Sequence, residues 1–202
     1  MKYSDGKIAG TLLFVAASQF VIGVMIAEAR AISNYSISTN YISDLGVGPS
    51  AMIFNSSVFL LGLLILIGAY FLQRAFNFKP LTILLILSAI GTIGVSVFTE
   101  HYGSIHTVVS LIAFLFGGLS CIASYKLLKL PFSVIAIILG LMTLGALGLF
   151  GAKDYVGLGA GGMERMILYP ILVWGAGFGG YLLANSEKAE AQKLQQSRAY
   201  TT

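Results

Sequence analysis

Charged residues are scarce in this chain, and cysteine is scarcer still. Only 10% of the residues are charged against 57% that are hydrophobic, whereas soluble globular domains carry about 25% charged residues. This shortage of charge excludes an ordinary soluble domain. The single cysteine, Cys121, excludes an internal disulfide, and its apolar surroundings favour a small buried residue over a reactive thiol. No basic run is dense enough to indicate binding to nucleic acid.

The chain contains six long apolar runs. Each is 18 to 23 residues long and contains no Lys, Arg, Asp or Glu. The runs are Ile8–Ala27, Ala51–Leu72, Leu81–Phe98, Thr107–Tyr125, Leu130–Ala152 and Met166–Asn185. A bilayer core of about 30 Å needs about 20 helical residues to cross it, and runs this long favour helices. The sequence therefore predicts an all-α bundle of six transmembrane helices in a single domain over residues 1–185, with a polar tail over residues 186–202.

Basic residues lie mainly on one side of the predicted helices. Nine of the 12 Lys and Arg residues fall on the side of both termini, and only Arg30, Lys153 and Arg165 fall on the other. Cytoplasmic loops of membrane proteins carry such an excess of Lys and Arg. The pattern predicts a multi-pass protein of the cell membrane with both termini and the tail in the cytoplasm. Membrane insertion alone then accounts for the net charge of +4.

Acidic residues and both histidines show the opposite bias. Those on the outer side are Glu28, Asp44, Glu100, His101, His106, Asp154 and Glu164. The rule that places basic residues inside scarcely constrains Asp and Glu, so this bias needs another explanation. The outer loops of a compact bundle converge over one end, which predicts an extracytoplasmic polar cluster. The first outer connection, residues 28–50, is too apolar for a free linker and is predicted to fold back as a cap.

The second outer connection carries the sharpest chemical motif. Glu100, His101 and His106 lie within seven residues of one another. Imidazole and carboxylate groups suit zinc, iron or copper, and three protein ligands plus a water would form a catalytic zinc site. Asp44 or Glu164 would supply the third ligand. In an enzyme, Glu100, His101, His106 and Asp44 would act as metal ligands or as general acid–base groups. The alternative is a set of interfacial side chains bonded to one another and to loop carbonyls.

Glu164 and Arg165 form a second ionisable motif. Adjacent residues on a helix do not face each other, so each needs a separate partner. Asp44 or Glu100 is the expected partner of Arg165, and Arg30 or a histidine that of Glu164. The motif is interpreted as a latch between outer loops, with a clamp for a ligand or lipid headgroup as the alternative.

A stripe of hydroxyl groups leads from the predicted cluster into the membrane. Ser88, Thr92, Ser96 and Glu100 recur every four residues and share one face of span three. Hydroxyls in membrane helices commonly bond to carbonyls of their own preceding turn, which is the simpler interpretation. The alternative is a polar cavity that opens outward between spans one to four. Asn55 in span two would belong to its wall, because a buried amide is costly without a partner.

Two further features concern partners. Gly175 and Gly179 form a small-x-x-x-small pair on span six. Small residues let membrane helices approach closely, which favours packing within the bundle and leaves a homo-oligomer seam as the alternative. Asn34-Tyr35-Ser36 is a glycosylation sequon on the outer side, but the pattern does not decide whether Asn34 is modified.

Several short motifs resemble those of a known family. They are Ile42-Ser43-Asp44-Leu45-Gly46 with Phe54-Asn55, Glu100-His101 with His106-Thr107, and Gly162-Met163-Glu164-Arg165 with Tyr169-Pro170. In these motifs the chain resembles a prokaryotic membrane-protein family, common in archaea, called domain of unknown function 998. The resemblance extends over nearly the whole chain. It implies six helices and an extracytoplasmic polar site, and it brings no established activity. A looser likeness to ceramidase-type intramembrane metal hydrolases lacks their paired-histidine motif.

Three classes of function are compatible with these observations. A lipid- or ligand-binding module, or an accessory subunit of a membrane complex, needs only the bundle and the latch and is favoured. A metal-dependent hydrolase or transferase would act on a lipid headgroup at the outer face, with Arg165 holding an anionic group and a metal-bound water as nucleophile. A small transporter along the hydroxyl stripe is the third, weakened because no charged residue lies mid-membrane and no inverted repeat is visible.

Overall fold

A computed structural model describes the backbone of Lys2–Ala199 and the side chains of residues 5–185. Within these residues six helices are long and apolar enough to cross a membrane. They are α1 (Lys2–Ala29), α2 (Ala51–Phe76), α3 (Lys79–Val97), α4 (Ser104–Ala123), α5 (Phe132–Gly151) and α6 (Gly159–Ala199). The prediction of an all-α, six-helix membrane protein is confirmed. Side chains of the predicted tail, residues 186–202, lie outside the described part.

The helices form a closed ring. Each helix packs against the next along the chain, and α6 returns to pack against α1. Consecutive helices run antiparallel: four connections are short, and across the longer one the contacts of Gly23 with Ser57 and of Asp5 with Arg74 set the direction of α2. Helix α1 therefore begins and α6 ends at the same end of the ring. We call this the terminus end. The opposite end, which we call the loop end, carries the connections over residues 30–50, 98–103 and 152–158.

Local signals explain the tight connection between α2 and α3. Asn77 adopts the left-handed conformation with φ of 50°, and its N–H donates to the carbonyl of Gln73 at 2.9 Å. This is a common way to end a helix, because it satisfies one of the last free carbonyls. Pro80 follows in the first turn of α3, where its missing N–H costs nothing.

Helix α6 begins at Gly159 rather than at Met166, where the predicted span begins. The glycine-rich stretch that the sequence suggested as loop is therefore largely helical. The N–H groups of Gly161 and Gly162 donate to the carbonyl of Ser38 at 2.9 and 3.2 Å, which satisfies donors that a helix start leaves free. A Cβ atom on Gly161 would collide with the carbonyl oxygen of Asn40, so the close approach of loop to helix requires glycine here.

The interior contains two main packed clusters. The cluster near the terminus end surrounds Trp174 and Phe178, and the one toward the loop end surrounds Phe20 and Phe54. Side chains of the first loop-end connection enter the second cluster, where Ile42 is 3% and Leu45 is 1% exposed. Residues 30–50 therefore cover the end of the ring as an integral part of its packing.

The outward surface of the ring is apolar. Val21, Ile83 and Leu141 are 52%, 55% and 58% exposed on three different helices. A soluble monomer rarely shows apolar surface of this extent, whereas a bilayer requires it.

The small pair Gly175 and Gly179 packs inside the ring. A Cβ atom on Gly179 would lie 2.5 Å from the backbone nitrogen of Phe14 and 2.7 Å from the carbonyl oxygen of Gly10. One on Gly175 would lie 3.5 Å from Cβ of Ala17. Helix α1 of the same chain therefore occupies this face. A homo-oligomer through the pair stays a prediction, and α1 would compete with the second copy for it.

Candidate functional site

Glu164 is a carboxyl group buried within the loop end of the ring. It lies in the second turn of α6 and is only 6% exposed. Its Oε2 accepts the backbone N–H of Ile42 at 2.5 Å, and its Oε1 lies 3.3 Å from the hydroxyl oxygen of Ser43. The sequence predicted Arg30 or a histidine as the partner of Glu164. Residues of the cap take that place, and Arg30 is exposed.

Ser43 connects Glu164 to a second carboxyl group. Its hydroxyl is 2.7 Å from Oε1 of Glu100, less than the 3.3 Å to Glu164. A serine hydroxyl has one hydrogen to donate and two lone pairs to accept with. Ser43 can donate its one hydrogen to only one of the two carboxyls at a time, so its contact with the other is satisfied only when that other carboxyl is protonated and donates to Ser43. The three groups thus form a short chain in which a proton has to be shared.

Asp44 extends this chain to a third carboxyl group. The pKa of Glu100 is raised to about 7, mainly by burial and in addition by a hydrogen bond with the Asp44 carboxyl, because two carboxyls bond only by sharing a proton. The hydrogen bond from Ser43 acts in the opposite direction, and the negative charge of Asp44 adds to the increase. Asp44 also accepts the side-chain N–H of Asn40 at 2.9 Å. We call Asp44, Glu100, Glu164 and Ser43 the carboxyl cluster.

Arg165 is a further buried ionisable residue beside the carboxyl cluster, and it has its own set of hydrogen-bond partners. Its side chain is 4% exposed, and one terminal nitrogen donates to Glu28 at 2.8 Å and to the Tyr35 hydroxyl at 2.5 Å. The other terminal nitrogen donates to three backbone carbonyls, those of Ile37, Asn40 and Gly161. Only the Nε–H group lacks a protein partner in the part of the chain described. The expected partners Asp44 and Glu100 are therefore not those of Arg165.

Tyr35 remains a neutral donor next to this guanidinium. Burial raises the pKa of Tyr35 to about 12, and the neighbouring Arg165 opposes that increase. The protonated hydroxyl can then accept from Arg165 while it donates to the carbonyl of Tyr41 at 3.2 Å. Arg165, Glu28 and Tyr35 thus tie α6, α1 and the cap together. This arrangement supports the latch interpretation of Arg165.

The two histidines differ in their exposure and in their contacts. His101 is exposed, whereas His106 is partly buried, with Nδ1 at 2.7 Å from the carbonyl of Phe98 and Nε2 at 3.4 Å from the hydroxyl of Ser110. Among the described residues no three His, Cys, Asp or Glu side chains are grouped as metal ligands would be. The zinc or other divalent metal site of His101, His106 and Asp44 stays a prediction.

The remaining candidate residues form hydrogen bonds with nearby backbone carbonyls. Asn55 donates its side-chain N–H to the carbonyl of Gly46 at 2.9 Å, and its buried Oδ1 has no protein partner within the described chain. Ser96 donates to the carbonyl of Ile93 at 2.6 Å, and Thr92 to that of Ser88 at 2.9 Å. These two hydroxyls bond within their own helix, as the simpler interpretation predicts.

A narrow cavity of about 80 Å³ lies inside the ring beneath the carboxyl cluster. Glu164 and Ser43 contribute to its lining, together with hydroxyls of Ser88, Thr92 and Ser110. Ten residues of α6 separate Glu164 from Trp174, which also contacts the cavity, so these two lie about 15 Å apart along the helix. A polar cavity between spans one to four was the alternative interpretation of the sequence; the cavity in the structure is mainly apolar, and α6 supplies a wall that the sequence did not indicate.

The sequence did not indicate which residues bind the start of α6. Glu28, Tyr35 and Ser38 bind α6 from positions more than 100 residues earlier in the chain. The adjacency of Glu164 and Arg165 indicated that each had its own partner. No spacing in the sequence indicated which segment provides it.

Comparison with known proteins identifies the family and nothing finer. No curated protein sequence and no solved structure matches the chain. A family described as a protein of unknown function, DUF998, matches residues 10–180. This match covers most of the chain and all six apolar helices, so the resemblance read from the short motifs is confirmed, and the chain belongs to the DUF998 family.

Proposed function

We propose that this protein is a membrane-embedded binding module for an amphiphile with a slender apolar chain and a head that donates hydrogen bonds. The observation that carries this proposal is the buried carboxyl group of Glu164 at the wall of an apolar cavity. Ligand sites combine an apolar lining with a few polar groups that orient the ligand. An ionisable residue buried at membrane depth is costly, and function is the usual reason for its presence.

The cavity favours a chain over a ring system. An apolar cavity of about 150 Å³ suffices for benzene, and this one measures about 80 Å³. Its length of about 15 Å between Glu164 and Trp174 makes it narrow. The cavity must therefore widen for any lipid, and a single alkyl chain, which is thin along its whole length, requires smaller side-chain movements than a sterol or another fused ring.

The carboxyl cluster favours a cationic or neutral donor head. Asp44, Glu100 and Glu164 supply acceptor oxygens and negative charge, and a second anion beside them would be repelled. Arg165 offers little compensation, because four protein groups besides Glu28 already occupy its terminal nitrogens. An amine or alcohol head is therefore preferred to a phosphate or carboxylate head.

The distribution of basic residues supports an extracytoplasmic position for the loop end. The excess of Lys and Arg lies at the terminus end, which in membrane proteins faces the cytoplasm. The head of the ligand would then lie at the level of the outer leaflet.

Trp174 offers a direct test, because it is the only tryptophan in the chain and contacts the cavity while 3% exposed. Two probes would be added to the purified protein in nanodiscs, a long-chain primary amine and the carboxylic acid of equal length, both brominated near the chain end. Quenching of Trp174 fluorescence would be followed against probe concentration. We expect half-maximal quenching by the amine at about tenfold lower concentration, which corresponds to about 1.4 kcal/mol.

Glu164→Gln is the informative variant, because the amide still accepts from Ile42 but carries no charge. We expect the tenfold advantage of the amine to disappear in it. Asp154→Asn removes an exposed carboxyl at the same end and serves as the control, with the advantage retained. Equal quenching by both probes in the wild type, or no saturable quenching by either, would overturn the proposal.

A further inference from the structure

We infer that the ligand enters the cavity sideways from the bilayer, through a portal between α1 and α6. This inference rests on the proposed function and narrows the ligand to a lipid dissolved in the membrane. It identifies Leu172 as the side chain that closes the portal.

Helices α1 and α6 are held together at two levels. Toward the terminus end, Gly10 and Gly179 bring the two backbones into contact, since a Cβ atom on Gly10 would lie 2.7 Å from the carbonyl oxygen of Gly179. Toward the loop end, the long side chains of Glu28 and Arg165 span the gap with a salt bridge of 2.8 Å. Backbone contact at one level and side-chain contact at the other leave space between the helices in the intervening turns.

That space is a groove of about 490 Å³ on the outer surface of the ring. Ser18 and Val21 of α1 and Val173 and Ala176 of α6 contribute to its lining. Among the residues described, those that line the groove carry no charge. The groove lies within the two membrane-spanning segments, Asp5–Ala29 and Gly159–Asn185, so it is accessible to alkyl chains of the bilayer.

The groove and the inner cavity share a wall. Ala17 and Leu172 line both of them. At the same level Gly175 has no side chain, and its backbone faces Ala17. Leu172 is therefore the one large side chain in the shared wall, and it is 5% exposed. Rotation of this one side chain would open the wall without movement of the helix backbones.

Access from the aqueous phase is more obstructed. Residues 30–50 cover the loop end, where Ile42 and Leu45 are buried and Arg165 binds three carbonyls, two of them in this segment. Breaking that cover would expose buried polar groups without partners, which is costly. An entering alkyl chain would also have to cross the carboxyl cluster. The lateral route avoids both obstacles.

The test measures the rate of entry separately from binding at equilibrium. The brominated long-chain amine would be mixed rapidly with the full-length protein in liposomes, and quenching of Trp174 fluorescence would be recorded over time. Ser18→Phe and Ala176→Phe place a ring in the groove at positions that do not line the cavity. The ring stands in the path of the entering chain, so we expect uptake about tenfold slower, which corresponds to a barrier higher by about 1.4 kcal/mol, with the final extent of quenching unchanged. Leu172→Ala should accelerate uptake.

Leu141→Phe is the matched control, because Leu141 is 58% exposed on α5, a helix outside the cavity lining. It should leave the rate at the wild-type value. Wild-type rates in both groove variants, with quenching intact, would overturn the portal and leave the proposed function standing. Absence of saturable quenching in the wild-type protein would overturn the proposed function, and the portal with it.

Discussion

Among the described residues, each end of the ring has an arginine–carboxylate pair, and the two pairs differ in their surroundings. At the terminus end Arg74 lies 3.2 Å from Asp5, with the arginine side chain 43% exposed and stacked over Tyr70. At the loop end Arg165 lies 2.8 Å from Glu28, with the arginine side chain 4% exposed and bonded to three carbonyls as well.

This contrast separates charge that serves insertion from charge that serves structure. The excess of basic residues at the terminus end is the pattern that membrane insertion favours, and Arg74 of the described pair is 43% exposed. At the loop end, ionisable groups are buried and bonded into the cap, and they surround a cavity. The loop end, where such groups border a cavity, is therefore the better candidate for a functional site.

The largest expected effect comes from breaking the loop-end pair. Arg165→Ala leaves Glu28, Tyr35 and three carbonyls without their donor, and removal of one partner of a buried pair costs about 3–5 kcal/mol. Arg74→Ala breaks a pair whose arginine is 43% exposed although Asp5 is only 8% exposed, so water replaces part of the interaction and the cost should be smaller, about 1–3 kcal/mol. Denaturant unfolding of both variants in mild detergent measures the difference. Similar losses in the two variants would contradict the contrast between the ends.

A smaller effect is expected where the cap meets α6. Gly161→Ala drives a methyl group into the carbonyl of Asn40 and should cost about 1–3 kcal/mol, because neither helix nor cap can yield freely. Gly180→Ala is the control on the same helix, since a methyl group there meets open space. Alanine is the better helix former, so this variant should equal or exceed the wild type by up to about 1 kcal/mol. The midpoints of denaturant unfolding measure both effects. A Gly161→Ala variant as stable as the wild type would contradict the close approach of the cap to α6.

The smallest effect concerns the pH dependence of stability. The pKa of Glu100 is about 7 in the folded protein against 4.5 for the free side chain, so between these values the folded state binds a proton that the unfolded state lacks. Stability should therefore fall as the pH rises from about 4.5 to about 7 and level off above. Thermal unfolding at several pH values should show this fall in the wild type.

Glu100→Gln should flatten that dependence, because the amide does not titrate and can still accept from Ser43. Asp154→Asn, which changes an exposed carboxyl at the same end, should keep the wild-type slope. A slope that persists in Glu100→Gln would assign the proton to another group.

Part of this picture was predictable from particular residues. The uncharged runs predicted six helices, and short motifs around Asp44, Glu100 and Glu164 indicated the family, because both signals are local and survive without knowledge of contacts. The start of α6 was not predictable in the same way. Gly157, Gly159, Gly161 and Gly162 are typical of a loop, yet α6 begins at Gly159, and the Ser38 carbonyl accepts from the N–H groups of Gly161 and Gly162 in its first turn.

The partners of the buried charges depended on contacts between distant segments. Arg165 binds Glu28 rather than Asp44 or Glu100, and Glu164 binds the backbone of Ile42 rather than Arg30. Which group reaches which depends on how residues 30–50 pass over the bundle, and loop conformation leaves little trace in hydrophobic periodicity.

The sequence by itself determined the membrane class, the number of helices and the end at which ionisable groups collect. These properties follow from the free energy of placing each residue in lipid or water, which is local to the residue. Only the tertiary structure decided that Glu164 contacts an apolar cavity and that Arg165 forms its hydrogen bonds with the cap. It also decided that Ala17 and Leu172 line both this cavity and the groove on the outer surface. These properties arise where helices distant in sequence meet, and packing geometry is not additive over single residues.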